Sequence, residues 1–132
     1  MSDKSWTWMS GSNIVDQVGV YGEKGVADES NVPGARSAAA VWFDGTKQEL
    51  WLFGGASYTD YLSYNDMWVY RVNDETWTWV AGTDLVHHIG VYGEKGVFSA
   101  DFIPASRDTH LVLYDNSTQQ IWMFGGYNEN CT

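Results

Sequence analysis

Cysteine and basic side chains are scarce in this chain of 132 residues, and each scarcity excludes a class of protein. The single cysteine, Cys131, cannot form an internal disulfide, and no Cys/His spacing matches a zinc site. Seven Lys and Arg side chains stand against seventeen Asp and Glu, which gives a net charge of −10. We therefore expect neither nucleic acid nor a membrane surface to be a partner.

Long apolar runs are also missing. No stretch is long enough to cross a membrane, and the N-terminal sequence MSDKSWTWM lacks the apolar core of a secretory signal. The chain as written is expected in the cytoplasm, or outside the cell if a leader precedes it. Helical periodicity is absent too. Aromatic residues are abundant at 16%, and because such rings need burial, we expect a folded domain.

The octapeptide GVYGEKGV occurs twice, at residues 19–26 and 90–97, within a longer repeat. A shift of 71 residues aligns residues 6–56 with 77–127 without a gap, and such self-similarity is the signature of a repeat architecture. The octapeptide lacks the carboxylates of a calcium loop and the helix start of a phosphate loop. We interpret it as a connection needed at two equivalent places, in which Tyr21 packs down while Glu23 and Lys24 face water.

Strand patterns dominate each repeat. Two segments around an Asp-Gly turn predict a hairpin, and a second hairpin follows the loop after it. Within the last segment Trp77 and Trp79 share one face by the two-residue strand period. The predicted strands of the complete unit are residues 37–43, 49–53, 66–72 and 76–80. Those of the hairpin that follows are residues 109–114 and 120–124.

The strand count predicts an all-β fold of antiparallel four-stranded units, which is typical of β-propeller blades. The whole chain, residues 1–132, is then a partial propeller of about two blades. Residues 37–80 form a complete blade, residues 6–9 the outer strand of a preceding blade, and residues 109–126 the first hairpin of the next. Two long connections, residues 10–35 and 81–106, join the blades.

Several motifs recur in a fixed order along the repeat. An apolar run ends in a double glycine (LWLFGG, IWMFGG), NDMWVY follows, Trp77 comes seven residues after Tyr70, and PGAR or PASR leads into the next strand. Together they resemble the kelch repeat, in the wide group that includes the propeller domain of galactose oxidase. The resemblance covers residues 6–126. About 50 residues is usual for kelch, and the excess lies in the connection that contains the octapeptide.

The recurring residues are expected to be structural. The double glycines supply unusual backbone angles where the second strand ends. The arginines bridge backbone carbonyls between blades, and the strand aromatics pack between sheets. These residues are Gly54, Gly55, Gly125, Gly126, Arg36, Arg107, Trp68, Tyr70, Trp77 and Trp79.

Candidate binding residues lie in the long loops. Successive connections of an up-and-down sheet alternate ends, so residues 56–65 and the two long connections collect on one face. The opposite face carries only short turns, DGTK and NDE, and so has no long loops. We expect a partner to bind the long-loop face. The candidates are Tyr58, Asp60, Tyr61, Tyr64, Tyr21, Tyr92, Glu23 and Glu94.

No catalytic residue, cofactor or metal site is predicted. His87 and His88 are neighbours that point to opposite sides of an extended chain, and His110 lies in a strand where the first repeat has Ala39. No Ser/His/Asp set or carboxylate pair stands out. The resemblance to copper radical oxidases extends only to the propeller, since no residue set here matches their Tyr/His ligands and Cys-Tyr crosslink.

The function predicted is therefore a non-catalytic protein-interaction or scaffold module, whose partner is another protein or further blades of the same or another chain. One alternative is the scaffold part of a galactose oxidase-like carbohydrate-active enzyme, and another is a glycan-binding adhesive repeat. A closed propeller takes about four to eight blades. We accordingly interpret the chain as a piece of a larger propeller, with a ring of several copies as the alternative.

Overall fold

The computed structural model describes residues 4–128, so Cys131 lies outside the described residues. The prediction of an all-β fold is confirmed: the described chain contains six strands in two antiparallel sheets and no helix. Four consecutive strands form the first sheet in the order β1-β2-β3-β4, and two form the second. The strands are β1 (Ala40–Asp44), β2 (Glu49–Phe53), β3 (Met67–Arg71), β4 (Thr76–Ala81), β5 (Leu111–Asp115) and β6 (Gln120–Phe124).

Equivalent aspartates hold the turns that join the first two strands of each sheet. Asp44 accepts hydrogen bonds from the backbone N–H and the hydroxyl of Thr46, at 2.9 and 2.6 Å. Asp115 accepts the same pair from Ser117, at 2.9 and 2.7 Å. The side chain thus replaces backbone partners inside a tight turn. These hydrogen bonds lower the pKa of both carboxyls, because they favour the ionised form.

Side chains of the first sheet alternate between two faces, as the two-residue strand period requires. Because Trp42 pairs with Trp51 and Val41 pairs with Leu52, neighbouring strands keep the same alternation. One face, the inner face, packs against the second sheet and carries Ala40, Trp42, Trp51 and Phe53. The opposite face, the open face, carries Val41, Phe43, Leu50 and Leu52.

The second sheet packs on that inner face across a cavity of about 170 Å³. Its own inner face carries Val112, Tyr114, Ile121 and Met123, and its open face carries Leu111, Leu113, Trp122 and Phe124. The apolar core of the molecule lies between the two inner faces, and a second buried cluster surrounds Trp68 in β3.

The first strands of the two sheets, β1 and β5, lie side by side. The Thr109 N–H donates to the Ala38 carbonyl at 3.1 Å, and the Tyr114 hydroxyl donates to Asp44 at 2.9 Å. At the same junction the Gly55 N–H donates to the Arg107 carbonyl at 2.9 Å. Backbone and side-chain bonds therefore fix one sheet against the other.

Three predicted strands differ clearly from the structure. The first strand of each sheet starts later than expected, because Ala38 and Thr109 adopt the left-handed backbone region (φ 53° and 54°) and interrupt the ladder. Residues 6–9, expected as the outer strand of a preceding blade, form no strand within residues 4–128, and Trp6 is almost fully exposed. An outer strand needs a neighbouring strand to pair with, and none of the described strands precedes this segment.

Candidate functional site

The first octapeptide runs along β4, the edge strand of the four-stranded sheet. The Gly25 N–H donates to the Trp79 carbonyl at 2.8 Å, and Asp28 forms an antiparallel bridge with Trp77. Lys24 does not simply face water: its Nζ donates to the Gly82 carbonyl at 2.6 Å and lies 4.2 Å from the centre of the Trp79 ring. The connection thereby covers an edge that would otherwise present unpaired backbone groups.

Asp66 is the buried charge around which this connection is organised. The guanidinium of Arg36 donates two hydrogen bonds to its carboxylate, at 2.5 and 2.8 Å, and the side chains are 4% and 0% exposed. The indole N–H of Trp68 donates at 2.8 Å and the hydroxyl of Tyr21 at 2.7 Å. A buried carboxylate with four donors is fully satisfied, so this group acts as a structural anchor.

Arg36 and Tyr21 therefore both have a structural role, because their polar groups bind the buried carboxylate of Asp66. Arg36 also donates to the carbonyls of Gly34 and Gly54, both at 3.0 Å, and stacks on the Tyr64 ring at 4.3 Å. The Tyr21 ring contacts two tryptophans of the sheet, and burial, followed by the nearby Asp66 charge, raises the pKa of its hydroxyl far above the ordinary value. Neither side chain is free to bind a ligand with its polar end.

The second connection repeats the conformation of the first without the same partners. Val91 and Ile103 exchange hydrogen bonds of 2.8 and 3.0 Å, as Val20 and Val32 do in the first connection. Arg107 again donates to two backbone carbonyls, at 3.1 and 3.0 Å. The Nη2 of Arg107 donates to the hydroxyl oxygen of Tyr92 at 2.8 Å, whereas the Nη2 of Arg36 donates to the carboxylate of Asp66.

The long loops of both repeats converge on one cavity of about 230 Å³. Its walls come from the first connection, from the loop between β2 and β3, and from the start of the second connection. Three carboxylates line it together with apolar and aromatic side chains. These lining residues include Asp16, Val18, Tyr21, Asp60, Leu62, Tyr64, Asp84 and Val86. Carboxylates accept hydrogen bonds but do not donate them when ionised, so the cavity suits cationic or hydrogen-bond-donating groups.

The predicted binding residues are distributed unequally around this cavity. Tyr58 and Tyr61 are 80% and 68% exposed, and Asp60 between them lines the cavity. Tyr64 is half-buried, and burial raises the pKa of its hydroxyl. Away from the cavity, the side chains Glu23, Tyr92 and Glu94 are exposed along the octapeptides.

Apolar residues on the connections were missed by the sequence reasoning. In each connection three exposed apolar residues precede the octapeptide, at equivalent positions of the repeat, and Val18 and Val86 also line the cavity. Their signal was the recurrence of apolar residues in loops, where solvation favours polar ones. The two sets are Ile14, Val15 and Val18 in the first connection, and Leu85, Val86 and Ile89 in the second.

The three histidines differ in their hydrogen-bond partners and in their surroundings. His88 accepts a hydrogen bond from the Gly90 N–H at 3.0 Å, and the His87 N–H donates to the Ser63 carbonyl at 2.9 Å. His110 is buried with its ring 5.3 Å from that of Phe53, and neither of its ring nitrogens has a hydrogen-bond partner. Burial, together with the charge of Arg107, lowers the pKa of His110. We find no group of three or more His, Cys, Asp or Glu side chains in residues 4–128 that could hold a metal ion.

No helix in the described part of the chain is long and apolar enough to span a membrane. Comparison with known proteins finds no matching family model, no matching curated protein and no matching solved structure.

Proposed function

We propose that this chain is a kelch-type propeller segment and a non-catalytic module that binds a protein partner through its long-loop face. Support for the architecture comes from the four consecutive antiparallel strands of the first sheet and from the contact between the first strands, β1 and β5. The face-to-face packing of equivalent sheets adds to it, since propeller blades are four-stranded sheets arranged around a common axis. The kelch assignment itself rests on the motifs of the repeat.

The cavity between the long loops is the observation that carries the functional proposal. It joins segments that are distant in the sequence, and exposed tyrosines and aliphatic side chains surround it. Large exposed apolar groups on one side of a molecule mark an interaction surface. Rigid aromatic residues such as Tyr58 and Tyr61 are frequent energetic centres of protein interfaces.

The negative charge of the cavity and of the whole chain indicates which kind of protein segment would bind. Asp16, Asp60 and Asp84 line the cavity, and the whole chain carries a net charge of −10. The partner that fits is a protein segment with apolar side chains flanked by lysine or arginine, because opposite charge speeds encounter and fixes orientation. Binding of this kind weakens as ionic strength rises.

A glycan is the alternative ligand, favoured by the two exposed tyrosines beside Asp60. Aromatic faces can stack on sugar rings, and a carboxylate accepts hydrogen bonds from their hydroxyls. Sugar binding of this type carries no requirement for positive charge, and ionic strength therefore separates the two alternatives.

Photo-crosslinking tests the location of the partner site. A photoreactive amino acid is placed at Tyr61 on the long-loop face and, as the matched control, at Asp74 in the exposed turn between β3 and β4 on the opposite face. We expect discrete protein crosslinks from position 61 and none from position 74, with a yield that falls as salt is added. Equal labelling from both positions, or labelling from position 74 alone, would contradict the proposal.

A glycan array probed with the same chain provides the second readout. Binding that is insensitive to salt and lost in Tyr61→Ala would replace the protein partner with a glycan. Tyr61→Ala is suited to this comparison because the side chain is largely exposed, so its removal leaves the sheet packing intact.

A further inference from the structure

Both outer faces of the two-sheet stack leave apolar side chains exposed within residues 4–128. On the first sheet this holds for the β1–β2 half of the face, because Trp68 and Tyr70 on the β3–β4 half are buried. On the first sheet Val41 and Phe43 are 58% and 48% exposed, and on the second sheet Trp122 and Phe124 are 63% and 80% exposed. A soluble chain rarely leaves aromatic strand residues in water on two opposite faces at once. Each face therefore calls for a packing partner.

The repeat identifies what each open face matches. A shift of 71 residues converts the open face of the second sheet (Leu111, Leu113, Trp122, Phe124) into the inner face of the first (Ala40, Trp42, Trp51, Phe53). The same shift converts the open face of the first sheet (Val41, Phe43, Leu50, Leu52) into the inner face of the second (Val112, Tyr114, Ile121, Met123). The two uncovered faces are thus equivalent to the two faces that already pack together inside the chain.

We propose that two copies of this chain associate head to tail, with the open face of the second sheet of one copy packed on the open face of the first sheet of the next. The contact repeats the internal packing of the two sheets between molecules. It is heterologous, because different surfaces of the two copies meet, and so it propagates into a ring or an open chain.

Space for such a partner is present beside the open face of the first sheet. Residues 7–11 lie across a cavity of about 560 Å³ from Leu50 and Leu52, and the cavity is also lined by Tyr70 and Trp77. This volume is far larger than the cavity between the two sheets of the chain. Side chains of a packed sheet belonging to a second copy have room to enter it.

Two substitutions between the repeats make the proposed contact less polar than the internal one. Phe43 stands where the second repeat has Tyr114, so the hydrogen bond from Tyr114 to Asp44 does not recur between copies. Ala39 stands where the second repeat has His110, so no buried imidazole needs to be accommodated. Apolar burial is therefore the main source of stability at this contact, and added salt strengthens it by screening the net charge of −10.

Complementation between two blocked variants tests the head-to-tail arrangement. Val41→Glu blocks the open face of the first sheet, Phe124→Glu blocks that of the second, and both residues are exposed, so folding is expected to survive. Sedimentation velocity is measured for the wild type across a wide concentration range, for each variant, and for their equimolar mixture. Val18→Glu on the long-loop face is the matched control.

We expect the wild type and Val18→Glu to form concentration-dependent oligomers, each blocked variant to be monomeric, and the mixture to stop at a dimer joined by the two unblocked faces. A wild type that stays monomeric at every concentration would overturn the proposal, and this measurement does not depend on any variant. A single blocked variant that still dimerises, or a mixture that stays monomeric, would also overturn it. The proposed long-loop binding is tested separately, because Tyr58, Asp60 and Tyr61 do not line this contact.

Discussion

Removal of one arginine should have very different consequences in the two repeats. Arg36 and Arg107 occupy equivalent positions, and each donates Nε and Nη1 to two backbone carbonyls. Only Arg36 is also paired with a buried carboxylate, that of Asp66. A comparison of Arg36→Leu with Arg107→Leu therefore subtracts the shared carbonyl bonds and isolates the buried ion pair.

The expected magnitudes follow from burial. Arg36→Leu leaves the carboxylate of Asp66 with no opposite charge in a site where it is 0% exposed. Removal of one partner of a buried ion pair costs about 3–5 kcal/mol. Arg107→Leu removes hydrogen bonds at a partly exposed site, which costs about 1 kcal/mol. Since a domain of this kind has a free energy of unfolding of about 5–15 kcal/mol, the first loss is a large fraction of the total.

Urea unfolding followed by tryptophan fluorescence and by far-ultraviolet circular dichroism measures both values. Asp66→Asn in the Arg36→Leu background is the internal control. It is expected to recover part of the loss, because the amide keeps an acceptor for Tyr21 and Trp68 without an uncompensated charge. Equal destabilisation by Arg36→Leu and Arg107→Leu, within about 1 kcal/mol, would refute the account of Asp66 as the anchor.

Equivalent residues of the two repeats give two further comparisons, and the pH dependence of His110 gives a third prediction. Gly54→Ala should lower the urea midpoint much more than Gly125→Ala: both glycines have positive φ (63° and 70°), but a Cβ at 54 would lie 2.5 Å from a backbone carbonyl, whereas at 125 nothing lies within 4 Å. Lys24→Met should lower the free energy of unfolding by about 0.5–1 kcal/mol through loss of its cation–π contact, and Lys95→Met should leave it unchanged. The pKa of His110 is lowered in the folded chain, so on acidification the unfolded chain binds a proton at this residue before the folded chain does. The stability contributed by the neutral imidazole is therefore lost as the pH falls through the unfolded and then the folded pKa. Unfolding free energies measured between pH 7 and pH 5 should therefore fall more steeply for the wild type than for His110→Ala, and parallel curves would contradict this.

Local patterns predicted the strands well. The segments 49–53 and 120–124 match β2 and β6 residue for residue, because apolar runs with flanking turn signals determine a hairpin within a few positions. The starts of β1 and β5 were less accurate. Ala38 and Thr109 carry no local signal for a left-handed backbone, and it is the packing at the sheet junction that places them there.

Contacts between distant residues were beyond the sequence argument. Lys24 was expected in water, but its partner Gly82 lies 58 positions away, and no periodicity relates the two. Asp66 likewise looked like part of a strand motif until the fold brought Arg36 and Tyr21 to it. Pairwise side-chain partners of this kind depend on the three-dimensional path of the connections, which composition and strand spacing do not encode.

The second connection has the same shape as the first although it lies next to a two-stranded sheet, and this bears on how such chains change in length. Its hydrogen bonds between Val91 and Ile103, and from Val97 to Glu94, match those of the first connection although the described residues contain no outer strand for it to cover. The residues of each connection are therefore sufficient to determine its own conformation. Gene duplication or deletion that adds or removes one period of 71 residues leaves each connection intact, so tandem copying can lengthen the protein without new linker sequence.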